Sequence, residues 1–259
     1  MNSYEVYQQL LDHYGPQGWW PLLQRSAWPG YSAEGYHPGI YELDLGAAER
    51  FEIITGAILT QNTSWVNVRS SLVKLLQAAG HQHTSLSPEF ILGLAPDELP
   101  ELIRSSGYFN QKAKKLRYAA EFLISIDSGA DFHGTTSAAT AHSKTPGDAP
   151  SRGELLSIWG IGPETADSIL LYAYNQPVCV VDAYSIRIFK RLSGDTSGRK
   201  WSYEELQATF HGELPRDAWV YNEFHGLLVE HAKQHCTSKN PKCDKCPLKT
   251  MCKFLAQIW

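Results

Sequence analysis

Four of the five cysteines fall in the last 24 residues as Cys236-x6-Cys243-x2-Cys246-x5-Cys252, and the fifth, Cys179, stands apart in an apolar run. Four thiolates on one short loop can hold a tetrahedral zinc ion or an iron–sulfur cluster of the [4Fe-4S] type. Zinc sites of four cysteines usually use two tight Cys-x2-Cys-like pairs, and this loop has one. The wider outer gaps favour the larger cluster. Lys239, Lys242, Lys245, Lys249 and Lys253 are interleaved with these cysteines. Cys179 reads as a buried structural thiol.

A second constellation lies between Glu154 and Leu192. The apolar stretch Leu155-Leu156-Ser157-Ile158-Trp159 turns at Gly160-Ile161-Gly162-Pro163, and a second helical pattern begins at Glu164. The glycines permit a tight turn and close backbone approach, and Pro163 suits the first turn of a helix. Backbone N–H groups at such a start bind an anion, above all a phosphate. Eighteen residues after Glu164 comes Asp182, in a Val-Val-Asp run that leads into an amphipathic helix. On local grounds Asp182 reads first as the cap of that helix. A phosphate grip followed by a lone carboxylate at the mouth of a helix is the arrangement to explain.

The elements that must position these groups are helical. Apolar residues repeat at three and four from Ala47, through Phe51, Ile54, Ile58 and Leu59, and again at Val68, Leu72, Leu75 and Leu76. Between the two lies a polar break, Thr60-Gln61-Asn62-Thr63-Ser64, which is either a capping loop or a wedge presented at a surface. Further helices are predicted at Tyr4–Tyr14, Pro88–Leu94, Pro96–Arg104, Gln111–Ile126, Tyr203–Phe210 and Ala218–Lys233. The helix after the Gly107-Tyr108-Phe109-Asn110 turn carries Lys112, Lys114, Lys115 and Arg117, the densest basic segment. Such a run is usually a solvated face, and it can also meet phosphates. Trp19 and Trp20 read as core residues on composition alone. Residues 127–152 lack periodicity and read as a flexible surface insertion. No stretch alternates convincingly with period two, so the fold class is all-α.

The chain has 259 residues, 43% hydrophobic and 19% charged, with a formal net charge of −4. That is ordinary for a globular protein and long enough for one compact unit or two small lobes. The acidic balance does not by itself suggest nucleic acid, but local patches outweigh a total. No apolar run approaches the roughly 20 residues of a membrane span. The opening MNSYEVYQQLLDHYG is polar where a secretory signal would be basic and then apolar, so a cytoplasmic protein is expected.

Taken together, Gly160-Ile161-Gly162-Pro163-Glu164-Thr165-Ala166, then Val181-Asp182, then the cysteine spacing, resemble the helix-hairpin-helix DNA glycosylases of the endonuclease III superfamily. Trp19-Trp20-Pro21, Leu59-Thr60-Gln61-Asn62-Thr63 and Ser106-Gly107-Tyr108-Phe109-Asn110-Gln111-Lys112 look like its 3-methyladenine DNA glycosylase III branch, whose best-known pattern lacks the cysteines kept here. The resemblance implies two helical lobes: residues 46–178, a six-helix barrel-type lobe ending in the hairpin, and residues 1–45 with 179–259, which carry a [4Fe-4S] cluster on Cys236, Cys243, Cys246 and Cys252. It further implies a monomer at the nucleoid, acting on double-stranded DNA bound across a cleft, with the damaged nucleotide flipped out. Asp182 matches the catalytic aspartate. Trp19, Trp20 and Glu164 fall in the base pocket. Gln61, Asn62, Asn110, Lys112, Gly160, Gly162 and Thr165 contact DNA, with Gln61 and Asn62 filling the gap left by the flipped base. Endonuclease III-type enzymes place a nucleophilic lysine where this chain has Glu164. A carboxylate cannot form an imine, so the expectation is a monofunctional glycosylase that removes alkylated purines with water and lacks lyase activity. The rival expectations are a glycosylase for mismatched or deaminated bases or oxidised pyrimidines on the same fold, and a DNA-damage binder without turnover.

Overall fold

Side chains at helix starts set where most of the elements begin. Asn2, Ser87, Ser151, Asp182, Ser202 and Asp217 each accept a hydrogen bond from a backbone N–H of the first turn that follows. The computed structural model describes residues 2–41, 43–81, 83, 85–128 and 148–254. Its α-helices are α1 (Ser3–Tyr14), α2 (Ala47–Leu59), α3 (Trp65–His81), α4 (Pro88–Gly93), α5 (Glu98–Leu102), α6 (Phe109–Ser128), α7 (Arg152–Ser157), α8 (Pro163–Ser168), α9 (Ala183–Ser193), α10 (Tyr203–Glu213) and α11 (Ala218–Gln234). No strand occurs among the described residues. The fold is all-α. None of the described helices is long and apolar enough to cross a membrane.

The chain divides into two units. One comprises Leu22–Gly35 and Leu43–Tyr174, and the other Met1–Pro21, Tyr36–Glu42 and Asn175–Trp259. The N-terminal 45 residues, expected in a single lobe, are therefore split between the units. The reason is electrostatic as well as apolar. Residues 23–25 are tied to α2: Glu52, fully buried on that helix, accepts from Leu23 N at 2.6 Å and Gln24 N at 3.2 Å, and Arg25 pairs with Glu49. Removing any of these partners would strand a buried charge.

In the unit built on residues 43–174, α2 is buried on nearly every face and forms the core. α6 packs across α4, and α2 packs against the end of the hairpin. That hairpin helix starts as α8 and runs on as a π-helical turn, Ile169–Ala173, which is wholly buried. Seven α-helices occur among the described residues of this unit, one more than the six-helix lobe that the resemblance implied, and the separate helices predicted at Pro88–Leu94 and Pro96–Arg104 are α4 and α5. Residues 129–147 of the expected insertion lie outside the described residues; its flanks are helical, with α6 reaching Ser128 and Ser151 capping α7.

In the other unit, α11 is the buried spine and packs against α1 and α9. Phe189, Phe210 and Phe224 interlock edge-to-face with ring centroids 4.8 to 6.2 Å apart and join α9, α10 and α11.

Candidate functional site

The hairpin is held from both sides. Arg152 on α7 makes a two-pronged ion pair with Asp167 on α8, at 2.7 and 3.1 Å, and Asp167 is completely buried. Ile158 closes the turn by accepting from Ile161 N, and Gly160 sits at φ +84°. A Cβ at Gly160 would stand 2.6 Å from Cε of Lys115, so the turn needs glycine for both its φ and its space. Gly162 is the extended N-cap of α8 and Pro163 its first residue. Glu164 is exposed in that first turn, and Thr165 is buried.

The polar break locks onto this turn. Gln61 donates through Nε2 to Gly160 O at 3.1 Å and to Thr165 Oγ1 at 2.9 Å, while its Oε1 accepts from Lys115 Nζ. Gln61 is therefore a buttress of the hairpin. Its neighbour Asn62 is exposed at φ +54°, and with Ser64 it is what the break presents to solvent. Gln61, Asn62, Tyr108, Gln111, Lys112 and Lys115 line a polar recess of about 250 Å³. Tyr108, also at positive φ, is 69% exposed at its rim.

Lys112 departs from its expected role as a surface phosphate contact. Its side chain is 2% exposed, and its ammonium donates to Leu59 O at 2.8 Å and Ser106 O at 2.7 Å. It binds the carbonyl end of α2 to the turn before α6, and burial, helped by Lys115, lowers its pKa to about 8. Asn110 and Lys114 remain exposed. Lys114 places its ammonium 4.7 Å from the Trp159 ring, beside the hairpin.

In the other unit, Asp182 is both a helix cap and a buried carboxylate. Oδ1 accepts from Ser185 N and Ser185 Oγ, each at 2.7 Å, and Oδ2 lies 3.7 Å from His225 Nε2. Burial opposes ionisation, but His225 and the Ser185 bonds outweigh it, so Asp182 is held below the usual carboxylate range.

Trp19 lies beside this pair. Its carbonyl accepts from Asn222 Nδ2 at 2.8 Å, and its ring meets His225 edge-on at 5.6 Å. A Cβ on Gly226 would come within 3.0 Å of that ring, so the indole rests directly on α11. Glu223, one residue after Asn222, accepts from Gln17 N at 2.5 Å and fixes the approach to Trp19. Trp19 stays half-buried, with the Lys233 ammonium 5.9 Å over its ring. Trp20 is different: it is 4% exposed, and its carbonyl is bonded by His37 at 3.1 Å. Only Trp19 of the pair keeps an accessible ring.

Cys236, Cys243, Cys246 and Cys252 line one small recess together with Arg191, His231 and Leu248. No three His, Cys, Asp or Glu among the described residues lie close enough to hold a single metal ion. Four thiols lining one recess are a donor set for either an iron–sulfur cluster or a zinc ion. Arg191 Nη1 lies 3.3 Å from Cys236 Sγ and caps the Thr237 carbonyl at 2.7 Å. Burial, reinforced by the neighbouring sulfurs, pushes the Cys246 thiol up to about 11. The five interleaved lysines are all exposed.

Residues 55–215 match the model of the HhH-GPD superfamily of base excision DNA repair proteins. The chain belongs to this superfamily. A candidate DNA repair glycosylase of Methanocaldococcus jannaschii is 39% identical over 96% of this chain and 94% of its own length. The 3-methyladenine DNA glycosylase of H. pylori, solved bound to 1,N6-ethenoadenine, has a TM-score of 0.61 at 28% identity, covering 90% of this chain and 98% of that one. An endonuclease III–DNA complex has a TM-score of 0.70 at 18% identity over 100% and 98% of the two chains, a likeness of fold. The superfamily match spans Gln61, the hairpin and Asp182, but not Trp19, His225 or the cysteine loop. Lys115, Ser185, Asn222 and His225 are site residues that the sequence motifs did not single out. Lys115 belonged to a recognised basic run. The other three carry no local signal.

Proposed function

We propose that this base excision repair glycosylase removes alkylated purines from double-stranded DNA by hydrolysis. The observation that carries the reading is the assembly around α11, where an accessible indole, Trp19, and an ionised, buried carboxylate, Asp182, meet on one side chain, His225. A 3- or 7-methylated purine is positively charged or electron-poor and would be attracted to the face of an indole. It is also a good leaving group, so modest catalysis suffices. The 28% identity to a 3-methyladenine glycosylase supports this substrate class.

In the proposed reaction, the hairpin amides after Gly160 hold backbone phosphate, and Asn62 fills the space vacated by the flipped nucleotide while Gln61 keeps the hairpin rigid. The N-glycosidic bond breaks with its electron pair leaving on the base. Positive charge grows on the deoxyribose, where Asp182 stabilises it. Water then forms the new bond to the sugar carbon and gives up its proton, with Asp182 as the acceptor. Glu164 stands where a lysine would form an imine, so the reaction stops at the abasic site.

The four C-terminal cysteines would hold a [4Fe-4S] cluster, which supplies a structural tie for the loop and no bond-breaking step. The exposed lysines of that loop would add phosphate contacts, with affinity that falls as salt rises.

A panel of duplexes tests the substrate class. Each carries one lesion: 3-methyladenine, 7-methylguanine, uracil or thymine opposite guanine, or an oxidised pyrimidine. Release of the alkylated purines is expected. Release of uracil, thymine or an oxidised pyrimidine without alkylated bases would assign the protein to the rival class, and tight binding without release of any base would make it a damage binder.

A further inference from the structure

His225 is 6% exposed and is the side chain that touches both Trp19 and Asp182. Ser185 fixes Oδ1 of the carboxylate through two bonds, so the orientation of Oδ2 decides where the charge points. The group facing Oδ2 is the Nε2 edge of His225, at 3.7 Å. That distance is a charge–dipole approach just beyond a formed hydrogen bond. Contacts of this kind tighten when substrate arrives. The imidazole also meets the Trp19 indole, at 80° between ring planes. The Trp19 backbone carbonyl is held by Asn222, and the indole rests on Gly226, both on the same helix as His225. The indole also meets Trp20 and Tyr36, at 5.8 and 6.5 Å between ring centroids, and the imidazole is the ring contact that carries a shift of the indole toward Asp182.

We propose that His225 is a positioning residue that couples the base held on Trp19 to the aim of Asp182: its Nε2–H directs Oδ2 of the carboxylate, and its ring edge responds to the stack on the indole. A base that stacks well seats the imidazole against Oδ2. A base that stacks poorly leaves the carboxylate held only at Oδ1, and excision is slow. His225 thereby contributes to lesion selectivity without touching the lesion. The inference rests on the assignments of Asp182 and Trp19 proposed above.

Two substitutions separate the two edges of the ring. His225→Phe keeps an aromatic ring and removes the donor; His225→Gln keeps an N–H near the Nε2 position and removes the ring. Single-turnover base release and duplex affinity are measured on the lesion the unmutated protein removes fastest. His225→Phe is expected to slow release about 100-fold with affinity retained. His225→Gln is expected to restore release to within about tenfold, and to narrow the preference for well-stacking lesions. Phe matching the unmutated rate, or Gln no better than Phe, overturns the proposal. Asp182→Asn runs beside them: an inactive Asn variant with an intact Phe variant rejects only the role of His225, whereas an active Asn variant rejects the assignment of Asp182 itself and the positioning role with it. A second readout needs no activity. Nitrogen-15 NMR of the His225 imidazole should show the proton on Nε2 in the unmutated protein and a mixture of tautomers in Asp182→Asn. The same tautomer distribution in both proteins overturns the coupling.

Discussion

The hairpin and the carboxylate site are built by opposite means. At the hairpin the functional groups belong to the backbone, and side chains such as Gln61, Lys115, Arg152 and Asp167 serve to hold it in shape. At the carboxylate site the functional groups are side chains, and the backbone of α9 and α11 serves to hold them. A backbone grip needs a particular turn and tolerates many side chains around it. A side-chain constellation needs particular atoms drawn from distant parts of the sequence: Trp19, Asp182 and His225 lie more than 200 residues apart end to end. Under the proposed function the first kind of site would limit binding, and the second would limit chemistry.

The largest effect that sharpens this contrast is Asp182→Asn. It should lower the single-turnover rate of base release about 1,000-fold while duplex affinity is retained. Rate and affinity falling together would erase the division of labour. Gly160→Ala should do the reverse. The alanine is strained at φ +84° and collides with the Lys115 stem, so duplex affinity should weaken about 10- to 100-fold with the rate at saturation nearly unchanged. A slower saturated rate would show that the grip also tunes the chemistry.

That asymmetry also explains what could be read from the sequence. The all-α class, the hairpin and the cysteine loop were legible because each is written in contiguous residues: glycines and proline at a turn, thiols at fixed spacing, apolar residues at three and four. Asp182 was legible as a cap, which it is, with its second oxygen turned to a separate partner. That partner could not be found by spacing. His225 is one residue among eleven buried ones on α11, and only packing brings it to Asp182. Lys112 misled for a related reason. A run of lysines on one helix looks like a solvated face, but the helix turns this one inward, where two carbonyl oxygens replace water. The division of residues 1–45 was hidden because Glu52 and Glu49 recruit residues 23–25 through backbone and guanidinium contacts that leave no pattern in the chain.

Lys112→Met distinguishes the inward strut from a DNA contact. It should cost about 1–3 kcal/mol of stability by leaving two carbonyls without their donor, measured by denaturant unfolding. The folded variant should bind duplex with a salt dependence like that of the unmutated protein. A reduced salt slope with unchanged stability would return Lys112 to the phosphate-contacting set.

The smallest effect concerns the support of Trp19. Burial raises the Glu223 carboxyl from 4.5 to about 7, against the pull of the Gln17 and Gly18 amides. The folded protein therefore holds this proton more tightly than the unfolded chain. The stabilising contribution is full below about 4.5 and is lost as pH rises toward 7. Glu223→Gln should flatten that part of the stability profile, read as the denaturant midpoint against pH. An unchanged slope would place the titration elsewhere.

Hydrolysis without strand cleavage is tested most directly on one duplex carrying a single 7-methylguanine, incubated with the protein in the presence and absence of borohydride. Free base, strand length and covalent adduct are read from the same reaction. Released 7-methylguanine, an unbroken strand with an abasic site and no trapped complex are expected, because Glu164 offers no amine. A borohydride-trapped protein–DNA complex with a cleaved strand would contradict it and place a nucleophilic amine in the reaction.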